Sequence, residues 1–176
     1  MLSLYDASVP SMIGYLGSLK KILRKGEDFC KARGSSPDYM LATRMHCTMF
    51  PLIFQVQMCS NTAKLLVLRV GGVESERLED NESTFGELYA RLDKTIEILE
   101  SVKPDSMSGD LGRPIHVKTP LTSFTLSAAD YVTQYAVPNF HFHLTTAYNI
   151  LRSQGVEIGK LDYAFFETDQ AGRLKQ

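Results

Sequence analysis

A chain of 176 residues, 44% hydrophobic and 22% charged, has the composition of one ordinary globular domain, long enough to bury a core without disulfides or a structural metal. A formal charge of −1 excludes the electrostatic bias that nucleic acid or an anionic membrane surface would demand of a partner. The longest apolar runs, such as Met49 to Val56, fall short of a membrane span, and the N-terminus lacks the basic-then-apolar order of a secretory signal. Cys30, Cys47 and Cys59 show no CxxC spacing, so no disulfide framework is expected, only buried or semi-buried thiols in a cytoplasmic protein.

The first helix is expected to open at Ser8 as N-cap with Pro10 in its first turn, to carry Ile13, Leu16, Leu19, Ile22 and Leu23 inward, and to stop at Arg33-Gly34. Lys20, Lys21, Arg24 and Lys25 make a basic opposite face, most simply a solvated one. After Gly34-Ser35-Ser36-Pro37, a short helical piece over Asp38 to Ala42 leads to a second long helix, capped by Thr48 with Pro51 in its first turn and ended by Gly71-Gly72. Val73 to Ser83 is acidic and reads as a surface loop. Thr84 and Glu87 form a capping box for the third helix, whose stripe is Leu88, Leu92, Ile96 and Leu99, before Lys103-Pro104 stops it.

Alternation at Ile115 to Lys118, with Phe124 to Leu126 as return strand, predicts a small hairpin. Ser127 and Asp130 start the last helix, which runs to Gln154 and ends at Gly155. With no internal repeat or linker, the pattern is an all-α antiparallel four-helix bundle with a hairpin before the last helix. One domain is expected over residues 1–160, with a tail over 161–176 carrying the aromatic anchors Tyr163, Phe165 and Phe166.

Within the last helix, "VPNFHFHLTTAYNILRSQG" holds two histidines. At about 100° per residue, His141 and His143 project to nearly opposite sides. The buried line runs through Ala136, Phe140, Leu144, Ala147 and Leu151, and His143 falls beside it with Asn139 and Thr146, which leaves His141 toward solvent or the edge of a neighbouring helix. Pro138 deprives the Gln134 carbonyl of its helical donor and is expected to kink the axis and open a pocket. Gln55 is a polar interruption on the inner side of the second helix, so Gln55, Asn139, His143 and Tyr148 are expected to meet across the interior. Two readings of His143 stay open, a core histidine satisfied by hydrogen bonds and a ligand-binding or acid–base group.

The stretches S-L-Y-D-A-S-V-P (Ser3 to Pro10), M-F-P-L-x-x-Q-V (Met49 to Val56) and N-F-x-F-H-x-T-T-A-Y (Asn139 to Tyr148) resemble an uncharacterised branch of the DinB/YfiT-like superfamily of four-helix bundles, over residues 2 to 160. The resemblance implies a site where better-known members hold zinc or nickel by three histidines, one on the second helix and two spaced by four on the last, some of them transferring thiols such as bacillithiol or mycothiol. His143 matches the later last-helix histidine, while Asn139 and Gln55 stand at the other two positions. Amides bind such ions weakly, so a degenerate metal site with no metal and no cofactor is expected.

Three functions compete on this basis. In the first, a metal-independent small-molecule binder or enzyme uses His143 for proton transfer of an isomerase or cyclase type, with Tyr148 as second catalytic group and Asn139, Gln55, Thr146 and Tyr135 as ligand contacts. The second is a metal-dependent thiol transferase or hydrolase with an altered ligand set. The third is a non-catalytic protein that pairs with a second copy as a homodimer.

Overall fold

The computed structural model describes residues 3–119 and 122–164. Four long helices carry the core: α1 (Val9–Arg33), α3 (Leu52–Gly71), α4 (Phe85–Glu100) and α6 (Val137–Ser153), with the short α2 (Pro37–Ala42) between the first two. Strands β1 (Pro114–Lys118) and β2 (Ser123–Ser127) pair antiparallel, Ile115 opposite Leu126 and Val117 opposite Phe124. The short α5 (Ala128–Asp130) passes through a widened turn, Tyr131–Ala136, into α6, and α7 (Lys160–Tyr163) closes the described chain. Tyr163 packs against the bundle as an anchor, whereas Phe165 and Phe166 lie outside the described residues.

The punctuation acts as its chemistry requires. Gly34 and Gly72 end α1 and α3 at φ 63° and 65°, a left-handed conformation that costs glycine little. Thr84 and Glu87 cap α4 reciprocally, and Ser127 accepts from the Asp130 N–H at 3.0 Å. Two expected side-chain caps are absent, although Ser8 does stand at the N-cap position of α1 with Pro10 in the first turn. Ser8 is fully buried and its hydroxyl donates to the Leu4 carbonyl at 2.6 Å, tying the N-terminal turn down instead of capping α1. Thr48 bonds His46 rather than capping α3, which begins three residues later than that cap implies, with Pro51 as its N-cap.

Cross-helix contacts fix the direction of each helix. Gln55–His143, Cys59–Phe140 and Thr62–Asn139 run in opposite senses along α3 and α6, which are therefore antiparallel. Lys20–Asp93 and Glu27–Tyr89 make α1 and α4 antiparallel as well. Tyr15–His141 and Gly26–Leu151 make α1 and α6 parallel, so α3, antiparallel to α6, and α4, antiparallel to α1, run in the same direction. The order is up, down, down, up, and residues 73–83 run back along α3 as a crossover.

The core is continuous, with Leu16, Leu19, Leu52, Val56, Leu66, Leu92, Phe140 and Leu144 fully buried. The basic face of α1 is stitched down in part, Lys20 to Asp93 and Lys25 to Asp162. Of the three free thiols Cys30 and Cys59 are buried, but Cys47 is exposed, because the chain around it turns outward before α3. Pro138 follows a change of helical register. The turn before it widens so that the Val137 N–H bonds the Val132 carbonyl, a five-residue register that absorbs the missing donor.

Candidate functional site

Helices α3 and α6 meet along a largely apolar seam that carries several polar contacts, among them the bond from the Cys59 thiol to the Phe140 carbonyl. At one end the His143 ring lies 2.8 Å from Gln55, through Nδ1 and Oε1. Toward the middle, the Asn139 amide donates to the Thr62 hydroxyl at 2.9 Å, and at the far end Arg69 donates to the Tyr131 hydroxyl at 3.1 Å. Each contact satisfies groups that would be costly unpaired.

The Gln55 amide orients the histidine. Its Nε2 donates to the Phe50 carbonyl at 2.9 Å, which leaves Oε1 as an acceptor alone, so the histidine must present Nδ1–H to it. His143 is thereby held as the Nδ1–H tautomer, with Nε2 as its basic nitrogen. Phe54 and Phe142 stand edge-on to the ring, with centroids at 6.1 and 5.3 Å. Burial among them lowers the imidazole pKa to about 4, so the ring is neutral at pH 7.

That shift has a signature in stability. The unfolded histidine takes its proton near pH 6.5 and the folded one only near 4, so the unfolded state binds more protons between these values. The stabilising contribution is complete above about pH 6.5 and is lost as pH falls through about 4. With the ring half-buried, solvent screening reduces the effect to about 1–2 kcal/mol. Urea titrations at pH 7 and pH 4.5 should differ by about that much less in His143→Ala than in the unaltered protein. An unchanged pH dependence would show that the imidazole is solvated.

The expected meeting of four groups is realised in part. Gln55 and His143 touch, but Asn139, one turn before His143, turns to Thr62. Tyr148 lies on another side of α6, edge-on to Tyr163 at 5.9 Å, so it does not join His143, because five residues along a helix rotate the side chain well away. Thr146 uses its hydroxyl on the Phe142 carbonyl of its own helix at 2.7 Å. Tyr135, on the widened turn, stacks with Tyr131 at 5.7 Å and meets Phe124 of the hairpin.

His141 is less exposed than a solvent-facing position implies. It packs edge-on to Tyr15 at 4.7 Å and its Nδ1 lies 3.1 Å from the Tyr163 hydroxyl, which also bonds Thr145. Burial holds its pKa below the usual imidazole value. The helical phase placed it on the correct side, but α1 and α7 cover that side.

The sequence reading missed a second polar cluster. Arg91 has a side chain 1% exposed and donates to Asp80 at 2.7 Å, Glu82 at 2.6 Å, the Asn61 amide oxygen and the Glu79 carbonyl. Gln57 donates to Glu82 and Lys64 to the Glu76 carbonyl, and burial pulls the Lys64 pKa down. The available signal was an arginine inside the Leu88, Leu92, Thr95 stripe, opposite an acidic loop.

A three-histidine type of metal site does not fit these side chains. Nδ1 of His143 is engaged by Gln55, the Gln55 amide is used on both atoms, and Asn139 faces Thr62. Among the described residues no group of three or more His, Cys, Asp or Glu side chains could hold an ion. No helix among them is long and apolar enough to cross a membrane.

Fold and seam together define a DinB-type four-helix bundle. A solved structure described as a DinB family member protein from Shewanella denitrificans is similar at 34% identity with a TM-score of 0.82, covering 91% of this chain and 90% of that one. The chain belongs to the family described as "Domain of unknown function (DUF1993)", which matches residues 4–164. Comparison with curated proteins gives no match.

Proposed function

We propose that this protein binds a small, partly aromatic molecule at His143 without a metal, and that the imidazole accepts a proton or hydrogen bond from it. The observation that carries this reading is the Gln55 contact, which fixes Nδ1–H and reserves Nε2 as acceptor. A pKa near 4 keeps that nitrogen unprotonated at pH 7. It also makes the ring a weak base, suited to an acidic C–H, N–H or O–H donor rather than to an unactivated one. Phe54 and Phe142 supply aromatic edges for the body of such a ligand.

Ligand screening by thermal shift, followed by calorimetry, tests the proposal. Hits on the unaltered protein should bind roughly tenfold or more weakly to His143→Ala, the loss expected for one well-placed hydrogen bond in a partly desolvated site. Gln55→Leu should weaken them as well by freeing the tautomer. Hits indifferent to both substitutions would place the ligand elsewhere, and metal near one equivalent in tag-free protein would overturn the metal-free chemistry.

A second reading, pairing with another copy of the chain, is favoured by one observation. Phe50 and Phe142 are each 58% exposed, and Phe50 stacks on Phe54 at 4.0 Å, so the rim of the same site is apolar. Light scattering across a concentration series on Phe50→Ser with Phe142→Ser separates this reading from a ligand-only role.

A further inference from the structure

Beyond His143, we propose that a cleft at the opposite end of the α3–α6 seam binds a small carboxylate with a planar apolar body. The cleft, of about 250 Å³, lies between α3, the widened turn before Pro138 and the end of β1. That volume falls just below the usual range of about 300–1,000 Å³ for ligand pockets, so only a small molecule fits. Its charged lining is Arg69 and Lys118, with no carboxylate, whereas the two clefts beside the crossover mix cations with Glu and Asp.

Arg69 is prepared for such a ligand. One guanidinium nitrogen donates to the Tyr131 hydroxyl, and the group sits 5.5 Å from that ring, which fixes its plane. It pairs with no carboxylate among the described residues, so most of its donor fork is available for bidentate recognition. Tyr135 offers a ring wall, and Met58 and Leu65 an apolar floor, which suits a flat hydrocarbon body better than a compact phosphate. Asn139, already bonded to Thr62, keeps a free amide oxygen and one N–H for a polar substituent at the other end. Tyr131 and Tyr135, four residues apart on the widened turn, lie on the same side of the helix and stack at 5.7 Å.

Benzoate, benzamide and inorganic phosphate are the probes, each titrated into the full chain at low salt and followed by two-dimensional amide NMR. Benzoate should saturate, with the largest shifts around Arg69, Tyr135 and Asn139, and benzamide, which lacks the charge, should bind at least about tenfold more weakly. Arg69→Met, which keeps the apolar stem, should reduce benzoate affinity by about tenfold or more, and Lys118→Met by a smaller factor. The exposed Lys94→Met, remote from the cleft, should leave it unchanged. Equal binding of benzoate and benzamide, phosphate binding tighter than benzoate, no saturable benzoate binding, or undiminished binding in folded Arg69→Met would each overturn the proposal. Should Arg69→Met not fold, the benzoate and benzamide comparison on the unaltered chain decides alone.

Discussion

Arg91→Ala should destabilise the protein by about 3 kcal/mol or more, the range found when one partner of a buried ion pair is removed. Its guanidinium is buried and holds both Asp80 and Glu82, and the Glu82 side chain is only 10% exposed, so truncation strands a carboxylate that Gln57 alone cannot satisfy. Partial escape of the loop to water limits the loss. Because α3 and α4 run in the same direction, residues 73–83 must travel the length of the bundle, and Arg91 is the side chain that ties this crossover to both helices. The variant should therefore also be cleaved faster by trypsin at the exposed Arg77 under native conditions. Arg91→Lys should recover less than half of the loss, since a lysine cannot reach both carboxylates and Asn61 with one ammonium. Unchanged stability and unchanged cleavage would mean that the loop carries no share of the fold.

The elements most legible in the sequence are those specified locally. Gly34, Gly72 and the Thr84–Glu87 box mark helix ends through conformational freedom and donor satisfaction that neighbouring residues decide. The inward direction of His143 follows from helical phase, and its pairing with Gln55 from the cost of two unmatched polar groups in one seam. What could not be read depends on tertiary choice. Asn139 had two acceptable partners, and the distance along α3 selects Thr62. Ser8 could cap or bond backward, and its burial decides for Leu4. His141 lies opposite the core stripe, so nothing local reveals that α1 and α7 supply Tyr15 and Tyr163 to cover it. Nor does an acidic loop announce that a buried arginine awaits it across the bundle.

Phe140→Ala should cost about 3–5 kcal/mol, while Phe142→Ala, two residues along the same helix, should stay within about 0.5 kcal/mol. The two rings differ only in helical phase. Phe140 is fully buried, and Phe142 is 58% exposed. Against the roughly 5–15 kcal/mol that separates folded from unfolded domains, the first substitution consumes a large share of stability and the second almost none. The void left by Phe140 is lined by apolar groups and should stay dry, so xenon uptake in the variant is an independent sign of it. The substitution also tests the seam, because the buried Cys59 thiol bonds the Phe140 carbonyl and the packing of α6 on α3 sets the Gln55–His143 distance. Loosening that packing should convert the single Nδ1–H form of His143 into a mixture of tautomers, visible in nitrogen-detected NMR of the ring. If Phe140→Ala lost under about 1 kcal/mol and kept one tautomer, the two helices would be held by something other than their apolar interface.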